Sequence, residues 1–78
     1  MTTDMANITQ TFGSKVRARR EQLGLSQSDL AELLECSQPN ISELEKGNHS
    51  PSLSTVERIA KALEVTVEYF FKSRRNSA

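Results

Sequence analysis

Cysteine is nearly absent, with Cys36 alone among 78 residues. An internal disulfide is excluded, and such a chain fits a reducing cytoplasm. Long apolar runs are missing as well. No stretch has transmembrane length and the start, MTTDMANITQ, has no signal-peptide core, so the sequence reads as soluble and cytoplasmic with no membrane partner. The single histidine, His49, has no second His, nearby Cys or acid cluster at ligand spacing, which leaves no metal site. No Ser–His–Asp or Cys–His set, paired-carboxylate cleft or glycine-rich phosphate loop is present. The chain is therefore not read as an enzyme, and no catalytic residue or cofactor is expected. There is length for one domain at most, with no room for a sensor domain and no small-molecule ligand expected.

Net charge is zero, so the total announces no polyanionic partner. The distribution says more. Residues 11–24 carry Lys15, Arg17, Arg19 and Arg20 against Glu21, a net +3, and residues 72–78 carry Lys72, Arg74 and Arg75, again +3. The middle is acidic: residues 25–47 hold Asp29, Glu32, Glu35, Glu43 and Glu45 against Lys46, a net −4. Patches rather than totals decide where a phosphate backbone can approach.

Residues 1–10 are polar and aperiodic and read as a flexible N-terminal arm. Phe12, Val16 and Leu23 then recur at helical spacing and Gly24 follows as a C-cap, which predicts helix 1 over roughly 11–23. Ser26 with Asp29 forms a shortened capping box, opening helix 2 over roughly 27–34. Ser37 opens helix 3 with Pro39 in its first turn, Ile41 and Leu44 form its buried stripe, and Gly47 closes it. After the loop NHSPS, Leu53, Val56, Ile59, Ala60 and Leu63 share one face of helix 4. Val65-Thr66-Val67 is β-branched but has no partner strand. Thr66 reads better as the cap of a short helix 5 ending in Tyr69-Phe70-Phe71. Cys36, in the turn between helices 2 and 3, is expected to pack in the core. The result is a compact all-α domain of five helices over 11–71, with a basic tail at 72–78.

On a helical wheel Ile41 and Leu44 set the inner face of helix 3, with Glu45 at its edge. Pro39, Ser42, Glu43 and Lys46 point outward, flanked by Gln38 and Asn40. That face has no large apolar side chain. A major groove accepts such a helix, and Gln or Asn can bond adenine N6 and N7 together.

Residues 20–65, from Arg20-x-x-Leu-Gly through LSQSDLAELLECSQPNISELEKGNHSPSL to ALEV, carry a resemblance. Gln27 opens helix 2 and Gln38 opens helix 3. Ala31, Ile41, Glu45 with Gly47, and Pro51-Ser52-Leu53 complete the pattern. Segment 12–71 resembles the Cro and phage-repressor helix-turn-helix superfamily, also called the XRE family. The resemblance implies a lambda-repressor-like DNA-binding domain with the helix-turn-helix in helices 2 and 3. Gln27 resembles the family's glutamine that bonds a phosphate and braces Gln38, and Gln38 resembles the one that reads adenine. Arg20 and Glu45 match an arginine–glutamate pair tying helix 1 to helix 3. Position 43 carries Glu where the family commonly has Lys or Arg, and Glu43 could accept from cytosine N4 or exclude other sequences by repulsion.

Asn40 and Ser42 join Gln38 and Glu43 as expected base-reading residues, and Lys46, Asn48 and Arg17 join Gln27 as expected phosphate contacts. Phe70 matches the family's inward hydrophobic position, which leaves Tyr69 or Phe71 for a two-fold contact. The expected function is a sequence-specific regulator bound to double-stranded DNA as a homodimer on a palindromic operator, repressing by promoter occlusion. Prophage-type repressors and restriction–modification controllers are the small family members it resembles. The alternatives are an antitoxin-type autorepressor and a helix-turn-helix module that binds protein.

Overall fold

The computed structural model describes residues 5–71, which form α1 (Met5–Gln22), α2 (Gln27–Leu33), α3 (Gln38–Glu45), α4 (Leu53–Ala62) and α5 (Val67–Phe71). α2 packs on α3, α1 lies across both α3 and α5, and α4 meets α5. Helix α1 begins inside the stretch expected to be a loose arm. Its first turns run beside the end of α3, where a Cβ at Gly47 would stand 2.9 Å from the Gln10 Cα. Tertiary contact here overrides a polar local composition. The basic residues Lys72, Arg74 and Arg75 lie outside the described residues.

Local chemistry fixes most helix starts. Ser26 Oγ accepts from the Asp29 N–H at 2.9 Å, and the Ser26 N–H donates to Asp29 Oδ2 at 2.8 Å, a complete capping box despite the short acid. Hydrogen bonding to the carboxyl from the Ser26 backbone N–H, and next from its side chain, holds Asp29 below the usual carboxylate range. A depressed acid contributes stability above its unfolded pKa and loses it as pH falls through the folded value, so this cap weakens only in acid. Ser52 caps α4 through Thr55. Ser37 stands at the N-cap of α3 without a side-chain bond.

The ends of α1 to α4 share one device. The residue two beyond the last helical one turns left-handed, and the next N–H reaches back five residues: Leu25 to Arg20 (3.0 Å), Cys36 to Ala31 (2.9 Å), Asn48 to Glu43 (3.1 Å) and Val65 to Ala60 (2.9 Å). Gly24 and Gly47 take that conformation with φ of 75° and 83°, but Glu35 (57°) and Glu64 (61°) take it with a side chain. Missing glycines made these two ends hard to see in the sequence.

Phe12, Val16, Leu30, Ile41, Leu44, Val56, Ile59, Leu63 and Phe70 make the core, with the Phe12 and Phe70 rings edge to face at 5.0 Å. Two expectations fail. Leu53 is 76% exposed, because it sits at the first position of α4, before the turns whose residues reach the core. Cys36 is exposed as well, since its place after left-handed Glu35 uses its main chain and turns its thiol outward.

A left-handed residue with a Cβ costs roughly 1–2 kcal/mol, partly offset by glycine's extra freedom in the unfolded chain. Glu64→Gly should therefore raise stability by about 0.5–1 kcal/mol, a few degrees in melting temperature. A thermal melt that moves downward instead would show that the Glu64 side chain contributes more than its strain removes.

Candidate nucleic-acid interface

The site begins at a buried charge. Arg20 is 8% exposed on the inner side of α1. Its Nε donates to Glu45 Oε2 at 2.7 Å, its Nη2 to Glu45 Oε1 at 3.2 Å, and its Nη1 to the Leu25 carbonyl at 2.7 Å. The Glu45 side chain is 4% exposed, so it is fully inside rather than at the edge. This planar fork joins α1, the α1–α2 turn and the last residue of α3. The bond to Glu45 outweighs desolvation and holds the guanidinium pKa above its ordinary value. A raised cation pKa contributes stability that is fully present below the unfolded value, so the Arg20 contribution is lost only in strong alkali.

From Glu45 the bonds run outward. Gln27 Nε2 donates to Glu45 Oε1 at 3.0 Å, and Gln38 Nε2 donates to Gln27 Oε1 at 2.7 Å. An ionised carboxylate only accepts, so Gln27 must turn its NH2 to Glu45 and its oxygen to Gln38. Gln38 must then give one N–H to Gln27, keeping its Oε1 and a second N–H free. Those are the two atoms that an adenine edge requires.

Along α3, Ser42 lies about 40° round from Gln38 and Lys46 about 80°, forming one row. A shallow cleft of about 290 Å³ runs beside them, lined by Arg17, Arg20, Gln27, Ser42, Glu45 and Lys46. Asn40 lies about 200° from Gln38. It lines a different cleft, with Cys36, His49 and Arg58, and does not join this row. Arg17 is exposed and paired with Glu21 at 3.2 Å. Glu43 is engaged within the chain: Asn48 Nδ2 donates to its Oε1 at 3.1 Å, and Lys46 Nζ stands 3.7 Å from its Oε2.

Sequence reasoning missed three structural roles. Arg19, counted only in the basic patch of residues 11–24, donates from Nε to the Leu63 carbonyl at 2.9 Å and so caps α4. Arg58 caps α2 through the Leu34 carbonyl at 2.9 Å. Gly13 lets α1 touch the end of α3: a Cβ there would collide with the Leu44 carbonyl oxygen and stand 2.8 Å from that of Glu45. A glycine inside a helical pattern was the available signal for that contact.

The helix-turn-helix family model matches residues 16–70. This chain belongs to the XRE, or Cro/C1-type, helix-turn-helix family. It is similar to an uncharacterized HTH-type transcriptional regulator of Methanothermobacter thermautotrophicus, 48% identical over 48 residues that cover 62% of this chain and 70% of that protein. The immunity repressor protein of Bacillus phage phi105 is 37% identical over 57 residues, 73% of this chain and 40% of the repressor. The restriction-modification controller protein C.AhdI from Aeromonas hydrophila has the same fold, with a TM-score of 0.81 at 29% identity over 88% of this chain and 100% of that one. The chain spans less than half the length of several curated relatives it matches. No helix among the described residues is long and apolar enough to cross a membrane.

Breaking a buried pair strands the remaining charge, at roughly 3–5 kcal/mol. Arg20→Ala should therefore remove most of the stability of so small a domain. Replacing both partners by apolar residues of similar volume should restore much of it. Denaturant titrations of the single and double variants decide the matter: an Arg20→Ala midpoint equal to wild type would mean the pair is structurally idle.

Proposed function

We propose that this family member is a DNA-binding transcriptional regulator that lays α3 in the major groove and acts as a homodimer on a two-fold operator. The observation that carries the reading is the bond chain from Glu45 through Gln27 to Gln38, which leaves Gln38 exposed with a free donor and a free acceptor. Gln38 and Ser42 meet base edges, with Glu43 beside them. Gln27, Arg17, Lys46 and Asn48 meet phosphates, and Asn40 serves at the flank. One reader helix spans too few base pairs for useful discrimination, so two copies are required. Helix α5 offers the two-fold contact. Phe71 is 49% exposed and stacks on Phe12 at 5.9 Å, while Tyr69 is half-buried under the Lys15 ammonium at 5.7 Å.

Occlusion of a promoter by the bound dimer is the simplest mode of action. The likeness to C.AhdI over that protein's full length supports a small controller-type or prophage-type regulator. One observation favours a protein-binding or antitoxin-type role instead: Glu32 and Leu33 at the end of α2 and Glu35 just beyond it are all exposed, with Leu33 at 56%. Binding that weakens with salt separates the two, because counterion release belongs to DNA.

Gln38→Ala should cost about 1–3 kcal/mol per half-site while leaving the salt slope nearly unchanged. Lys46→Ala should flatten the slope by about one unit per contact. Gel shifts on operators selected from random DNA give both numbers. Gln38→Ala binding every operator variant as tightly as wild type would remove α3 from the reading role.

Sedimentation of wild type and a Tyr69→Ala, Phe71→Ala double variant tests the two-fold contact. A wild-type dimer and a monomeric variant are expected. Two equal dimers would move the interface elsewhere.

A further inference from the structure

Glu43 is the outward acid where the family commonly has a cation, and its two carboxylate oxygens are not idle. Oε1 accepts from Asn48 Nδ2 at 3.1 Å, and Oε2 stands 3.7 Å from Lys46 Nζ. The Asn48 main-chain N–H also donates to the Glu43 carbonyl at 3.1 Å, so residue 48 is tied to residue 43 twice. The side chains of Glu43 and Lys46 are 53% and 61% exposed, within reach of anything that docks on α3. Lys46 and Asn48 are two of the donors assigned above to phosphate.

We propose that Glu43 is an intramolecular mask, its carboxylate engaging one N–H of Asn48 and drawing Lys46 toward itself in the free protein so that a DNA phosphate must compete with it for both side chains. The inference rests on the DNA-binding reading and deepens it. A carboxylate and a phosphodiester are both acceptor-only anions, so they compete for the same N–H groups. When phosphate takes the two donors, the Glu43 carboxylate is left on the groove face without a partner. Guanine N7 and O6 and thymine O4 offer only acceptors there, and adenine sets its N6 donor beside the N7 acceptor. Cytosine N4 offers a donor and no acceptor, and it can satisfy the released carboxylate. The cost of unmasking is thus returned most fully where a cytosine faces Glu43 and retained where a guanine or thymine does. Glu43 determines specificity mainly by weakening binding to wrong sequences.

Four proteins test this: wild type, Glu43→Gln, the Lys46→Ala, Asn48→Ala pair, and the triple variant. Glu43→Gln removes the charge from an exposed position and leaves an oxygen able to accept from Asn48, so folding is preserved and checked by its melt. Affinity is read on a non-specific duplex and on the selected operator, across a salt series. Glu43→Gln is expected to bind the non-specific duplex roughly 3- to 10-fold tighter, with a salt slope steeper by about one unit as Lys46 is freed. Its preference for cytosine at the facing position should fall by about tenfold, the scale of a single base-pair mismatch.

In the Lys46→Ala, Asn48→Ala background the tightening should vanish, because there is nothing left to unmask. A full gain that persists there would overturn the mask and leave simple removal of an acid. No change in Glu43→Gln would overturn it as well. If wild type binds duplexes with salt dependence and the cycle shows no coupling, the mask alone fails. If wild type binds no duplex at all, the DNA-binding reading fails and the mask goes with it.

Discussion

The Arg20–Glu45 pair is the constraint on which the rest of the site depends. A buried ion pair is a poor source of stability, because desolvation consumes much of the Coulombic gain, and two apolar residues of the same volume would serve folding about as well. What apolar residues could not supply is direction. Glu45, ionised and fully engaged by a guanidinium fork, can only accept, so it sets which end of the Gln27 amide faces it. Gln27 in turn sets Gln38. Polarity is passed through three hydrogen-bonded steps from a buried charge to an exposed amide that would otherwise rotate freely. The pair thus orders the exposed Gln38 amide, and on the proposed reading that ordering lowers the cost of binding DNA.

Direction is useful only if α3 itself is held, and the backbone does this. Gly13 brings α1 against the carbonyls of Leu44 and Glu45, closer than any side chain would allow. The same end of α3 closes on Gly47, which rests on Gln10. Ile41 and Leu44 fix the inner face in the core. The helix is therefore pinned at its C-terminal end by glycine contacts and the ion pair, and its N-terminal turn is held by the Gln38–Gln27 bond. Arg19 and Arg58 fasten the ends of α4 and α2, so the frame behind the reader is closed by side chain to main chain bonds.

Much of this was legible in the sequence where a single residue type has one physical use. Ser26 with Asp29, Pro39 in the first turn of α3, and the glycines at 24 and 47 mark boundaries that the structure shows within a residue or two. The adjacency of Arg20 and Glu45 followed from the wheel and from the family pattern together. The start of α1 was not legible, because its polar first turns are held by a contact with a segment nearly forty positions away, between Gln10 and Gly47. The closures at Glu35 and Glu64 were hidden because they use the glycine conformation without glycine. The caps made by Arg19 and Arg58 were hidden because a basic residue on a helix surface has many uses, and only the fold chooses among them. Glu43 was legible as a departure from the family, but its grip on Lys46 and Asn48 needed coordinates.

The acidity of the helix-turn-helix is thereby reduced to a local question. Of the five acids between residues 25 and 47, Glu45 is buried and neutralised, and Asp29 is consumed in the cap of α2. Glu32 and Glu35 line other clefts, not the one beside Gln27 and Ser42. Only Glu43 lies by the outward row, and Lys46 stands against it. At physiological ionic strength charges further apart than about 8 Å are largely screened. The same screening leaves the chain without a strong long-range field, and a near-neutral face cannot draw DNA in by charge alone. On the proposed reading, recognition comes from short-range contacts whose geometry the bond chain from Arg20 to Gln38 sets in advance.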